Sequence, residues 1–277
     1  MKRFMGIASL LVALLYTAGC GAELARSDIQ GPAAASPPTA STLKHWTCAS
    51  PLPPGTGANQ AQIVRSGPMS LGHGWIEAAA LAGKGCVTFY AARRGGQGWQ
   101  AHLVTSDASG GNGVSSLQLS TSGSSHIWLL AQGLPGAGQA PAFLFRSRDG
   151  GKTWLTEPAG QGSAFPRANV QLRMKFSSGR NGWITDLNTF YGPPRVEVYR
   201  TTDGGQSWNL TTFSVPARYA MLLGNGVALP PVFQDARQGT LKIRGTRNGH
   251  VTTLIYGTND GGETWLLEAQ SAPADGG

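Results

Sequence analysis

Hydrophobic and polar residues alternate along Val170-Gln-Leu-Arg-Met-Lys-Phe176, the two-residue period of a strand with one buried face. Gly179-Arg-Asn-Gly182 breaks the pattern as a turn, and Trp183-Ile-Thr-Asp-Leu187 reads as a second strand. Val196-Glu-Val-Tyr-Arg200 forms a third, Asp203-Gly-Gly its hairpin, and Trp208-Asn-Leu-Thr-Thr-Phe213 a fourth. The segment predicts four short antiparallel strands joined by glycine-bearing turns.

The unit recurs along the chain. Ser147-Arg-Asp149-Gly-Gly-Lys-Thr-Trp154, Thr202-Asp203-Gly-Gly-Gln-Ser-Trp208 and Thr258-Asn-Asp260-Gly-Gly-Glu-Thr-Trp265 are near copies, and Ala92-Arg-Arg94-Gly-Gly-Gln-Gly-Trp99 reads as a worn one. The tryptophans at 99, 154, 208 and 265 are 55, 54 and 57 residues apart. A second marker keeps step: Trp75, Trp128 and Trp183 stand 24, 26 and 25 residues before the cassette tryptophan, and Leu241 takes that place in the last copy. Two markers in phase over four copies define a repeat. The expected fold is all-β, a β-propeller of about four antiparallel four-stranded blades. Trp46 stands 53 residues before Trp99 and echoes the strand after a cassette. It would supply a closing strand or brace the first blade. A five-bladed ring, or a ring completed by a dimer, is the alternative.

The pattern Ser/Thr-x-Asp-x-Gly-x-Thr/Ser-Trp resembles the Asp-box, or BNR repeat, of sialidases, sortilin-type receptors, xyloglucan-active glycosidases and photosystem II stability/assembly factor propellers. Phe176-Ser-Ser-Gly-Arg-Asn-Gly-Trp183 followed by Tyr199-Arg-Thr-Thr-Asp-Gly-Gly-Gln-Ser-Trp208 is most similar to the last of these, and the resemblance spans roughly residues 62 to 270. It speaks for fold more than function, because one architecture hosts many activities. It implies that the cassettes sit on the outer rim, with Asp149, Asp203 and Asp260 as turn locks and Trp154, Trp208 and Trp265 packed beneath. The physical reason is local. A carboxylate accepts turn N–H groups, glycine supplies positive φ, and tryptophan buries a large apolar body. Arg94 cannot accept those bonds, which predicts a looser first blade.

Composition agrees with strands and tight turns. Charged residues are 13% of the 277, and there are 40 glycines and 8 tryptophans. Lys2 and Arg3 precede a largely apolar stretch from Phe4 to Leu15, then Tyr16-Thr17-Ala18-Gly19-Cys20. This is an export leader, too short for a membrane span of about 20 residues. Its ending resembles a bacterial lipobox, with Thr17 where that pattern has leucine, and implies lipidation at Cys20; simple secretion is the alternative. The expected layout is a leader at 1–19, an Ala/Pro/Ser tether at 20–43, the propeller at 44–270 and a loose tail at 271–277. Cys48 and Cys86 are expected to pair in an oxidising compartment, two free thiols being the other reading.

The net charge is +8, or +6 once Lys2 and Arg3 leave with the leader. That suits a protein or an anionic envelope polymer as partner, together with a membrane reached through the anchor. No Lys/Arg run forms a nucleic-acid stripe. The five histidines show no metal spacing, and no phosphate loop or nucleophile elbow appears, so no metal or cofactor is expected. The sialidase opening segment Phe-Arg-Ile-Pro is absent; Phe165-Pro-Arg167 is a faint echo. Outside the cassettes the candidate carboxylates are Glu77, Asp107, Glu157, Asp186, Glu197, Asp235 and Glu268. They are read as strand ends rather than a converging pair, so the expectation is a binding propeller and not an enzyme, a sialidase-like glycosidase being the alternative. In an up-and-down blade the second-to-third and blade-to-blade loops lie opposite the cassettes. Here they carry Phe165, Arg167, Phe190, Tyr191, Arg195, Arg218, Tyr219, Arg247 and His250, residue types that binding faces favour.

Overall fold

The computed structural model describes residues 62–71, 74–83, 86–95, 98–107, 114–134, 140–157, 171–189, 192–223, 226–247 and 250–271. All fall within the compact unit Ser36–Gly277. They form four antiparallel sheets that follow one another along the chain. Sheet 1 holds β1 (Gln62–Arg65), β2 (Met69–Ser70), β3 (Trp75–Gly83), β4 (Cys86–Gly95) and β5 (Gly98–Asp107). Sheet 2 holds β6 (Val114–Ser122), β7 (His126–Gly133), β8 (Ala142–Ser147) and β9 (Leu155–Glu157). Sheet 3 holds β10 (Arg173–Phe176), β11 (Gly182–Asn188), β12 (Arg195–Thr201) and β13 (Asn209–Ser214). A 3-10 helix, Ala217–Leu222, leads to sheet 4, which holds β14 (Val227–Phe233), β15 (Gly239–Arg247), β16 (His250–Thr258) and β17 (Leu266–Ser271). The architecture is an all-β propeller of four blades.

Apolar seams between successive sheets make the core. Ile76, Leu117, Leu129 and Phe145 join sheets 1 and 2. Trp128, Leu144, Phe176 and Ile184 join sheets 2 and 3. Trp183, Val198, Leu241 and Ile243 join sheets 3 and 4. In β7, Ile127 and Leu129 point one way while Trp128 and Leu130 point the other, and all four are buried. A central blade strand is covered on both faces, which is why His126–Gly133 reads as an apolar run rather than an alternation. The first strand of sheet 1 is broken into β1 and β2 because Gly67 turns at φ 76 and Pro68 has no N–H to donate. Ser66 bridges the break: its N–H donates to Ala78 O at 3.0 Å, and Ala78 N–H donates to Ser66 Oγ at 3.0 Å.

Strand register revises the sequence repeat. Ile76 lies opposite Arg93, Trp128 opposite Arg146, Trp183 opposite Arg200, and Thr240 opposite Gly257. The position equivalent to Trp128 in sheet 1 is thus Ile76, and Trp75 points away from sheet 2 with 47% of its surface exposed. In sheet 4 the equivalent is Thr240, not Leu241, which turns back into the seam with sheet 3. The worn cassette falls largely within a strand pair. Strands β4 and β5 stay paired as far as Gly95 opposite Gly98, so Arg94 lies inside a strand. These two strands run ten residues each.

The three full cassettes are hydrogen-bonded alike. Asp203 Oδ1 accepts from Gln206 N at 2.9 Å, Ser207 N at 3.0 Å and Thr201 Oγ1 at 2.8 Å, while Oδ2 accepts from Ser207 Oγ at 2.5 Å. Asp149 and Asp260 accept from the same positions. Burial raises the Asp203 carboxyl, but the bonds from Ser207, Thr201 and Gln206 outweigh it and hold the group at about 2. Asp149 is lowered in the same way, and Asp260 is lowered chiefly by Thr264. Each cassette also meets the first turn of its own blade, as Gly204 N–H donates to Arg180 O at 2.7 Å and Gly261 N–H to Arg237 O at 2.9 Å.

Neighbouring blades are clasped at this rim. Arg146 Nη1 donates to Gly204 O at 3.4 Å, and Trp128 Nε1 donates to the same oxygen at 2.9 Å. Arg200 Nη1 donates to Gly261 O at 2.9 Å. Arg93 sits against Gly150, where an added Cβ would come within 3.4 Å of its guanidinium. Sheet 4 has Gly257 at this position and offers no clasp.

Candidate functional site

At the end of sheet 3 away from the cassettes, β11 and β12 place three residue pairs in register: Asn188 with Arg195, Asp186 with Glu197, and Ile184 with Tyr199. Two-residue alternation puts all six on the face that meets sheet 2, since Ile184 and Tyr199 pack there with Trp128 and Leu144. The seam is apolar near the rim and polar beyond it. Tyr199 Oη donates to Glu197 Oε2 at 2.7 Å. Arg195 Nε donates to Glu197 Oε1 at 3.1 Å, with Nη2 also 3.1 Å away. One carboxylate is therefore held by a phenol on one oxygen and a guanidinium on the other, the geometry of strong charge-assisted bonds.

Burial, the bond to Glu197 and the negative charges of Glu197 and Asp186 push the Tyr199 phenol up, and Arg195 pulls partly against them. The phenol is protonated at neutral pH and has its base within hydrogen-bond reach. Asp186 and Glu197 are direct cross-strand partners, whose Cβ atoms lie about 5 Å apart in such a pair. Across the seam Gln132 is buried on the sheet-2 side, its Oε1 accepting from Ser116 Oγ at 3.1 Å and its Nε2 without a partner.

Among the carboxylates considered above, Asp186 and Glu197 are brought together as a cross-strand pair. Glu77 is buried in sheet 1. Asp235 is exposed in the turn before β15, accepting from Arg237 N and Gln238 N at 2.7 Å. Glu157 and Asp107 end β9 and β5, and Glu268 is exposed on β17. Among the proposed loop-face residues, Arg195 is bound to Glu197 and His250 is exposed at the start of β16. Tyr219 departs from expectation: it is buried in the seam between sheets 3 and 4, with the exposed Arg218 guanidinium 4.7 Å over its ring. Its apolar body shares a buried cluster with Leu187 and Leu223, and that burial outweighs an exposed position. Arg247 is described as part of β15 only, and Cys86 only as the first residue of β4. Phe165, Arg167, Phe190, Tyr191, Cys20 and Cys48 lie outside the described residues.

Sequence reasoning missed Tyr199 as a site residue. The signal was present, because Glu197-Val-Tyr199 puts an acid and a phenol on the same strand face. Among the described residues, no three His, Cys, Asp or Glu side chains converge as a metal site.

No family model matches the chain, and no curated protein matches it. Among solved structures it is similar to Zg3597, a family 117 glycoside hydrolase of the marine bacterium Zobellia galactanivorans. The identity is 9% and the TM-score 0.43, over 76% of this chain and 70% of that one. It is also similar to the NanB sialidase of Streptococcus pneumoniae in its K499G form, at 13% identity and TM-score 0.38, over 66% of this chain. The match spans 28% of the NanB chain. The expectation of a protein that is not an enzyme is corrected by these likenesses, which are to a glycoside hydrolase and a sialidase.

Proposed function

We propose that the chain is a glycoside hydrolase of sialidase-like type acting on extracellular glycans, exported and held at the outer face of the membrane through Cys20. One observation carries the reading: Tyr199 donates at 2.7 Å to Glu197, and Asp186 holds the register position opposite. Glycosidic cleavage needs a nucleophile with its base and a separate acid for the departing oxygen, around one bond. Here Glu197 would take the phenol proton as Tyr199 Oη bonds to the anomeric carbon. Asp186, acting as general acid, would deliver a proton to the departing oxygen. Arg195 covers Glu197, so a substrate with its own carboxylate would draw the guanidinium away and open the pair. Kinship with Asp-box propellers belongs to this proposal and is supported by the identical bonding of Asp149, Asp203 and Asp260.

The test is turnover of a panel of fluorogenic glycosides, sialosides included, by the full chain. Tyr199→Phe and Glu197→Gln should each lower kcat by at least about 100-fold while the fold is retained. A full panel without turnover removes the proposal. A second reading, an anchored scaffold that recognises a protein or an anionic envelope polymer, is supported by Arg218 stacked on Tyr219 beside Met221, which is 72% exposed. It predicts that Arg195→Ala with Arg218→Ala abolishes capture from cross-linked envelopes without changing thermal stability.

A further inference from the structure

Sheet 4 presents its second face to solvent. Thr240, Lys242, Arg244 and Thr246 of β15 lie on the side opposite Leu241 and Ile243, which fill the seam with sheet 3. In register with them on β16 are Gly257, Ile255, Thr253 and Val251, and Leu266 of β17 lies opposite Gly257. Lys242, Arg244 and Thr246 are exposed, as are Val251 at 51% and Leu266 at 71%. A bulge at Glu268 swings that side chain over bare Gly257, where its carboxylate occupies the space an added Cβ would need.

Two features identify what this face is built to meet. It is not shaped for a further blade of the same kind, because the clasp position holds Gly257 where sheets 1, 2 and 3 have Arg93, Arg146 and Arg200. It is also segregated, with cations on β15, apolar Val251 and Ile255 on β16, and the Glu268 carboxylate toward β17. A surface divided this way complements itself under a two-fold axis parallel to the strands, which lays β15 of one copy over β17 of the other.

We propose that the far face of sheet 4 is a self-association face, occupied by the same face of a second copy, with Lys242 of each chain meeting Glu268 of its partner. Strands of six to nine residues, at about 3.3 Å per residue and about 4.8 Å spacing, cover on the order of 500 Å². Two such faces bury on the order of 1,000 Å², the lower bound for a specific interface. The dimer is accordingly concentration-dependent.

Sedimentation velocity on the full chain across a wide concentration range tests this, with Lys242→Glu and Glu268→Lys as variants. Each variant alone sets like charges against each other and should weaken self-association at least about tenfold, while melting is unchanged. Mixed in equal amounts the two variants restore every opposite-charge contact, so the mixture should dimerise at least as well as the unaltered chain. A dimer that ignores both charge reversals uses another surface and overturns the proposal. So does a chain that stays monomeric, whether Lys242 then reacts freely with an amine reagent, leaving the face bare, or resists it because another segment of the same chain covers the face.

Discussion

The seam between sheets 2 and 3 and the far face of sheet 4 use the same two register positions with different residues. At the seam they hold Trp128 and Arg146; on the far face they hold Thr240 and Gly257. Trp128 is fully buried, stacks on Phe176 with ring centroids 3.8 Å apart, and donates across the seam to Gly204 O. Arg146 reaches the same carbonyl. A threonine and a glycine reach nothing comparable. A sheet face becomes a seam when its third-strand arginine and a bulky second-strand side chain reach the next cassette, and it stays a surface when they are small.

The largest effect should come from removing the aromatic half of that arrangement. Trp128→Ala deletes a buried ring and leaves a cavity, so it should cost about 3 to 5 kcal/mol in urea unfolding. Thr240→Ala at the matched position should change stability by less than about 0.5 kcal/mol. Equal losses at both positions would break the comparison.

The cassette itself comes next. Asp203→Ala removes the acceptor for the N–H groups of Gln206 and Ser207 and the hydroxyls of Thr201 and Ser207, and should cost about 1 to 2 kcal/mol at neutral pH. The effect has a pH signature. The folded carboxyl sits at about 2, below its unfolded value of about 3.9, so its contribution is complete above pH 4 and disappears as pH falls through about 2. In Asp203→Asn the loss of stability between those limits should be smaller than in the unaltered chain, as read by thermal melts in a pH series.

The architecture was legible because cassettes and tryptophans recur in phase, and strand alternation around Val196–Arg200 marks both faces of β12. Equivalence between blades was less so. A one-residue slip reverses every side chain, and neither Trp75 nor Leu241 differs in spacing enough to betray it. The Tyr199–Glu197–Asp186 cluster was half visible. Both carboxylates stood out as polar residues in apolar strands, but their pairing depends on the β11–β12 register, which spacing alone does not supply. Tyr219 shows the opposite error: an aromatic in a long loop reads as a contact residue, yet the short 3-10 helix folds it inward.

A smaller effect is expected at the clasp between sheets 3 and 4. Arg200→Met keeps the aliphatic stem and removes the bond to Gly261 O, so the cost should be about 1 kcal/mol. Because Trp183 and Phe233 remain stacked at 5.2 Å beside it, the seam should stay closed. Hydrogen exchange at Gly261 and Gly262 should rise while exchange in β15 is unchanged.

Arg94→Asp should do least, and it bears directly on how the first blade is read. If Ala92-Arg-Arg94-Gly-Gly were a decayed cassette, restoring the aspartate would rebuild the bonds that Asp149 makes and raise stability by about 1 kcal/mol or more. The strands argue otherwise. Asp149 stands two residues beyond Ser147, the end of β8, whereas Arg94 is still within β4 and paired with Trp99. The hairpin leaves only two residues between Gly95 and Gly98, too few for the N–H groups that Asp149 gathers from positions three and four residues ahead. An aspartate at 94 would lie along a strand, and the melting temperature should be unchanged within error.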